Sequence, residues 1–337
     1  MSKVRYSNFE LLRIISILMV FYIHCNYWSL GVVNSEVIHE QPIVSGFRIF
    51  LQQLCACGVN AFVLISGWFG IKATYKGICK LLFQICFWGG GGFLLAFFLY
   101  EPIRLSDVFK VFWFGGCYWF VMNYVVLYVM SPILNSYIQT TSPKQLLTIL
   151  LLFFVTEFAY GWIYPIGPWA YGYSVISFVG LYLLASYIRL YSKRVMSLQS
   201  GICFFLFLLS IFIPSAIEYS GMWVFGKDFR MIAYSSPFVI ISSVLLLLSF
   251  CRIKLQSKLI NNIAVSVLPL YLLQCHPAIE TFFQKKMNSF FMAFGPSKYL
   301  FFALFFGVSA LIFVVVLDKA RLIIWNYSSS LILKKSN

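Results

Sequence analysis

The sequence predicts an all-α membrane protein of about ten transmembrane helices with both termini cytoplasmic, and three observations carry that prediction. Of 337 residues, 61% are hydrophobic and only 10% charged, whereas soluble chains carry roughly a quarter of charged residues. The mean hydropathy is +0.87. Apolar runs of about 18 residues or more, long enough to cross a hydrocarbon layer of about 30 Å, follow one another along the chain. Lys and Arg, finally, concentrate in alternate connections between those runs.

The runs extend over Phe9 to Trp28, Phe47 to Phe69, Ile78 to Tyr100, Tyr118 to Tyr137, Leu146 to Tyr164, Val175 to Leu190, Ile202 to Ile217, Ile232 to Phe250, Ile263 to Phe283 and Leu300 to Leu317. Basic residues cluster where an N-inside arrangement has its inner segments. These are Lys3, Arg5 and Arg13; Lys72, Lys76 and Lys80; Lys144; Arg189, Lys193 and Arg194; Arg252, Lys254 and Lys258; and Lys319, Arg321, Lys334 and Lys335. The outer segments mix Arg48, Arg104, Lys110, Lys227, Arg230, Lys285, Lys286 and Lys298 with acids such as Glu36, Glu101, Asp107 and Asp228, so that surface is nearly neutral. The basic start followed by an apolar run also has the form of a secretion signal. Arg13 interrupts its core and no small-residue cleavage site follows, so the first run is expected to stay in the mature protein. With no long loop and no internal repeat, residues 1–337 read as a single integral-membrane domain.

Several function classes are excluded at this point. The net charge of +15 comes as twos and threes between apolar runs, not as the contiguous basic face that a nucleic acid needs, so no nucleic-acid partner is expected. The nine cysteines lie almost entirely inside apolar runs and lack redox or metal-ligand spacing; no metal is expected. Gly89 to Gly92 could be mistaken for a phosphate loop, but no Lys, Ser or Thr follows, and helix packing is the better reading.

Ionisable groups inside membrane helices are costly and so point to function. Four qualify: Glu10, Arg13, His24 and Glu157. Glu10 and Arg13 are one turn apart and can pair as a structural staple. His24 follows Arg13 by close to three turns, about 16 Å along a helix, so the two share a face. A neutral imidazole there can act as general base on a hydroxyl; a hydrogen-bonded core histidine is the plainer alternative. Glu157, at comparable depth, either orients the imidazole or is a protonated carboxyl in a helix contact. Trp162, Tyr164, Trp169, Tyr171 and Tyr173 suit either a sugar-stacking platform or an interfacial belt.

The stretch Arg5-Tyr-Ser-Asn-Phe-Glu10-Leu-Leu-Arg13, followed by His24, resembles the opening helix of the acyltransferase type 3 family, whose signature is an Arg-(ten residues)-His spacing. Asn60-Ala-Phe62-Val-Leu-Ile-Ser66-Gly67-Trp68-Phe69 is similar to its Phe-x-x-x-Ser-Gly-aromatic motif. Tyr118-Trp119-Phe120, Leu127-Tyr128 with Pro132, Phe178 to Leu184, and Leu270-Tyr271-Leu272-Leu273 continue the match in order. The resemblance implies that His24 is catalytic and that Arg13 lies where acyl-CoA engages from the cytoplasm, with Glu10, Ser66 and Gly67 assigned to the same donor site. One departure stands out: many relatives carry a histidine where this chain has Gln274. His276 points about 200° around the helix from that position and is expected to be structural. Many relatives also carry a fused extracytoplasmic hydrolase-like domain, which is not expected here.

The implied activity is transfer of an acyl group, expected to be acetyl, from acetyl-CoA or another acyl-CoA to a hydroxyl of a polysaccharide or lipid-linked glycan, at the bacterial cytoplasmic membrane. Carbohydrate acceptor and membrane lipid are the expected partners. A transporter or flippase for a glycan or small anion is the main alternative, although the paired broken helices typical of transporters are not evident. A membrane polysaccharide polymerase ranks below it, for want of a long external loop.

Overall fold

The computed structural model describes residues 5–113 and 118–334, and these are 83% helical with no strand among them. Lys3 and Lys335, counted above as inner basic residues, lie outside the described residues. The helices are α1 (Ser7–Ile23), α2 (Ser35–Glu40), α3 (Pro42–Phe69), α4 (Tyr75–Phe98), α5 (Leu105–Phe112), α6 (Trp119–Thr140), α7 (Pro143–Glu157), α8 (Val175–Tyr191), α9 (Lys193–Ser197), α10 (Ser200–Phe225), α11 (Pro237–Cys251), α12 (Lys258–Ala264), α13 (Leu268–Gln274) and α14 (Glu280–Lys334). Their starts follow local chemistry. The Thr74 side chain accepts from the Gly77 amide at the head of α4. Ser142 and Gln145 form a reciprocal cap on α7, with Pro143 in its first turn, where a missing N–H costs nothing.

Among the described residues, seven spans are long and apolar enough to cross a membrane: Ser7–Trp28, Pro42–Phe69, Tyr75–Phe98, Trp119–Thr140, Pro143–Ile163, Ser200–Phe225 and Glu280–Ser329. The chain is a multi-pass membrane protein. Seven of the ten apolar runs fall in these spans, and the sixth and eighth form the shorter apolar helices α8 and α11. The ninth run differs from expectation. Ile263 to Phe283 is broken into the end of α12, the seven-residue α13 and the start of α14. Pro269 opens a new first turn and Pro277 has no N–H with which to continue α13. The tenth run continues well past Leu317, within a 55-residue α14 bent at Gly295, where φ is +71° and Pro296 follows.

The core is built around α3, which packs against α1, α8, α10 and α11 and is buried over most of its length. A second apolar cluster joins α1, α4, α13 and α14 through Phe21, Ile85, Leu270, Leu272 and Val314. Large side chains such as Phe205 and Phe212 on α10, and Phe301 and Phe305 on α14, face outward, as lipid-facing surfaces do. The glycine run of α4 serves packing. A Cβ on Gly92 would overlap the His276 ring, and one on Gly89 would meet Val111. His276 is buried there, its Nε2 3.0 Å from the Gly89 carbonyl while its Nδ1 accepts from the Ala278 amide.

The strongest polar joint is one that the run boundaries concealed. Asp318 and Arg321, both fully buried on α14, form a two-pronged ion pair at 2.6 and 2.7 Å. Trp88 of α4 donates to the same carboxylate at 2.8 Å, and Ser266, between α12 and α13, at 2.6 Å. One carboxylate thus ties three parts of the chain together.

Removing one member of a buried pair leaves the other charge uncompensated, typically at a cost of about 3–5 kcal/mol. Asp318→Asn is therefore expected to lower the thermal stability of the detergent-purified protein strongly, and Asp318→Leu combined with Arg321→Met to recover most of the loss. A double variant no more stable than Asp318→Asn would show that charge compensation is not what this joint supplies.

Candidate active site

A cavity of about 670 Å³ runs between α1, α3, α6 and the α12–α13 segment, within the usual range for small-molecule sites. Helix α1 and the turn that continues it contribute Arg13, Ile17, Val20, Ile23 and His24; Arg13, Ile17, Val20 and His24, spaced four, three and four residues apart, share one helix face. Arg13 and His24 therefore mark two levels of one cavity, about 16 Å apart along α1. Helix α3 adds Gln52, Val59, Phe62 and Ser66; the broken segment adds Ala264, Val267, Leu268, Tyr271 and Cys275. No Asp or Glu is among the lining residues.

At one level, Arg13 holds both carboxylate oxygens of Glu10 at 2.9 Å. The staple forms, and the guanidinium still borders the cavity. Ser66 lines the cavity nearby in sequence order on α3, with its hydroxyl 3.1 Å from that of Tyr124. Gly67 does not reach the cavity. A Cβ there would overlap the backbone of Tyr182 on α8, and its carbonyl accepts from Ser186 at 2.8 Å. Gly67 thus lets α3 and α8 approach closely, and Glu10 acts on the cavity only through Arg13.

At the other level, α1 widens into a π-helical turn from His24 to Trp28. The His24 carbonyl accepts from the Ser29 hydroxyl at 2.5 Å. The imidazole leans on Trp28, ring centres 4.6 Å apart, and its Nδ1 is 3.8 Å from the Cys275 sulfur. The Gln274 side chain lies beside it. Both Gln274 amide atoms are buried without a hydrogen-bond partner among the described residues. Gln274, singled out in the sequence as a departure from the family pattern, is thus next to His24.

Glu157 is not brought to His24. Its carboxyl is buried beside Ser177 on α8, with Oε2 unpartnered among the described residues, and it does not line the cavity. The correction is tertiary in origin: α7 packs on α8, which in turn packs on α3 and α6, so equal depth along two helices did not mean proximity. The aromatic platform also has a different membership. Of the five aromatics singled out in the sequence, Tyr173 alone lines the cavity. It meets Trp119 edge-on at 4.5 Å and Tyr234 at 5.1 Å, and Trp119 stacks on Tyr234 at 5.6 Å. Asn60 and Asn123 hold the Tyr234 and Tyr173 carbonyls at 2.9 and 3.0 Å. Tyr234 follows no motif, and pattern reading had no signal for it.

The arrangement can do one kind of chemistry well. The His24 imidazole stands beside a mostly apolar passage, with a cation at one level and an aromatic cluster at the other. Among the described residues, no group of three metal-binding side chains exists. A family model described as an acyltransferase domain matches residues 6–319, nearly the whole chain. Comparison with curated proteins finds no match, and neither does comparison with solved structures.

The Gly67 assignment has a direct test. Gly67→Ala should lower thermal stability by about 1–3 kcal/mol, as overpacking does, whereas Ser66→Ala should leave stability nearly unchanged. Unfolding in detergent reads both, and a Gly67→Ala protein as stable as the parent would remove the packing role.

Proposed function

Because the chain belongs to the acyltransferase family matched over residues 6–319, we propose that it moves an acyl group, acetyl in the first instance, from acyl-CoA to a hydroxyl of a surface polysaccharide or lipid-linked glycan. The observation that carries this reading is the single cavity shared by Arg13 and His24. In this reading all ten apolar runs are membrane crossings or parts of them, both termini are cytoplasmic, and the membrane is the bacterial inner one. Acyl-CoA enters from the Arg13 level and the glycan from the aromatic level.

His24 takes the proton of the acceptor hydroxyl as its oxygen attacks the thioester carbonyl. The tetrahedral intermediate collapses, the carbon–sulfur bond breaks, and the departing thiolate takes the proton back from the imidazolium. The ester and free CoA are the products. Gln274, rather than Glu157, sets the imidazole's orientation: an amide can accept from one ring nitrogen without introducing a charge. Trp119, Tyr173 and Tyr234 offer ring faces to a sugar.

One observation favours the transporter alternative. The interrupted α12–α13 segment lines the cavity, and interrupted helices line many transport sites. Purified protein incubated with labelled acetyl-CoA and candidate glycans separates the two readings. Label incorporated into glycan supports transfer; glycan binding without incorporation supports transport.

Two sets of variants test the residue roles. His24→Ala should cut transfer by about 100-fold or more with little change in stability, because positioned proton transfer contributes about 10²–10⁴. His24→Gln should fail equally, and an active His24→Gln enzyme would end the general-base assignment. Gln274→Ala should lower kcat about tenfold, the usual scale for a residue that orients another, while leaving the donor KM unchanged. Glu157→Gln should retain most of the turnover. The opposite ranking of those two variants would restore Glu157 as the orienting group.

A further inference from the structure

Three cysteines show what a packing thiol looks like in this protein. Cys57 and Cys251 donate to carbonyls of their own helices, that of Leu54 at 3.1 Å and that of Leu247 at 3.2 Å, and Cys25 lies 3.8 Å from the Met287 sulfur. A cysteine inside a bundle has this small, apolar role by default. Cys275 is placed differently. It lines the cavity with Leu268 and Tyr271, and its sulfur is 3.8 Å from Nδ1 of His24, close enough for the thiol to share its proton with that nitrogen. A nucleophile within hydrogen-bond reach of a base, with a third group beside the base, is the arrangement that covalent catalysis needs. Gln274 is that third group, its buried amide beside the same imidazole.

The fold holds this sulfur from behind. Leu268, Tyr271 and Cys275 follow one another at spacings of three and four residues, so α13 turns one face to the cavity. The Cys275 amide closes the last turn on the Tyr271 carbonyl at 3.0 Å. The next side chain, His276, is fixed on the far side by the Gly89 carbonyl and the Ala278 amide, and Pro277 cannot continue the helix. The end of α13 is thus pinned by backbone contacts on both sides of Cys275.

We propose that Cys275 carries the acyl group between donor and acceptor as an S-acyl thioester. The inference rests on the acyl-CoA reading above and divides its reaction in two. In the first half, His24 Nδ1 takes the Cys275 thiol proton and the thiolate attacks the donor carbonyl. The bond from that carbon to the CoA sulfur breaks, and CoA leaves as a thiol with the proton returned by the imidazolium. One thioester replaces another. In the second half, His24 takes the proton of the acceptor hydroxyl, whose oxygen attacks the Cys275 thioester; the carbon–sulfur bond breaks and the imidazolium reprotonates Cys275. The thioester that the glycan meets is therefore the enzyme's own. The Gln274 amide offers a donor to the oxyanion that develops in each half. A covalent carrier also suits a cavity of about 670 Å³, the size of one small-ligand site, because donor and acceptor can use the same space in turn.

The test needs no acceptor. Full-length protein in nanodiscs is given acetyl-CoA and radiolabelled CoA, and return of the acetyl group from the enzyme to CoA makes labelled acetyl-CoA. Exchange without glycan is expected of the parent and of Cys86→Ala, a control at an exposed cysteine. Cys275→Ala and His24→Ala are expected to lose it while melting with the parent. A second readout needs no variant: after incubation with acetyl-CoA labelled in its acetyl group, the denatured parent should carry label on the peptide containing Cys275, released by neutral hydroxylamine. Label on His24 instead, or exchange that survives Cys275→Ala, overturns the proposal. A parent that neither exchanges nor retains label overturns it as well, and acetylation of a panel of bacterial surface glycans then shows whether acyl transfer by direct attack stands or falls with it.

Discussion

A bilayer offers no water to satisfy a stranded polar group, so every charge and every interrupted backbone in this protein must find its partner within the chain. The Asp318 carboxylate is where that constraint is met most fully. With four donors converging on it, it supports the break between α12 and α13, where the ninth apolar run leaves regular helix. The α12–α13 break would otherwise expose carbonyls and amides to lipid. Ser266 anchors one side of the break, and the Tyr118 hydroxyl accommodates the Leu272 carbonyl at 2.6 Å on α13. Non-helical backbone at this depth is tolerated because protein surrounds it on one side and a cavity on the other.

The same constraint explains how the reactive level is assembled. At the π-helical turn that starts with His24, the Ser29 hydroxyl donates to the His24 carbonyl. That local irregularity sets Trp28 against the imidazole. The opposite wall comes from the broken segment, through Tyr271 and Cys275. Two irregular elements face each other across the passage, held by regular helices behind them. His276, two residues beyond Gln274, is turned the other way into α4 and is engaged by backbone groups at both ring nitrogens.

Much of this was legible in the sequence. Apolar run length gave most of the helices, because lipid thickness imposes a length that composition records directly. The Arg13 and His24 spacing gave a shared helix face, because both residues lie on one regular element whose geometry is fixed. What failed were inferences that needed a second element. Glu157 matched His24 in depth, but depth does not reveal that α8 intervenes. Gly67 lay in a motif beside Ser66, yet one residue turns a helix by 100°, and Ser66 faces the cavity while Gly67 faces α8. Asp318 and Arg321 followed an apolar run and preceded a basic tail, so they read as a boundary; only the fold shows that the helix carries them inside. Tyr234 and Trp119 meet across a long sequence separation, which no local pattern encodes.

The placement of a cation and a base some three turns apart on one face of α1 has a consequence for how work is done across the membrane. In the proposed reaction the bulky charged part of the donor stays at one level, and only its acyl end extends to the other. The group is handed over at a depth that its carrier never has to cross. No ion gradient is required in the proposed reaction: cleavage of the high-energy thioester supplies the driving force, and one cavity reaches both the Arg13 and the His24 level.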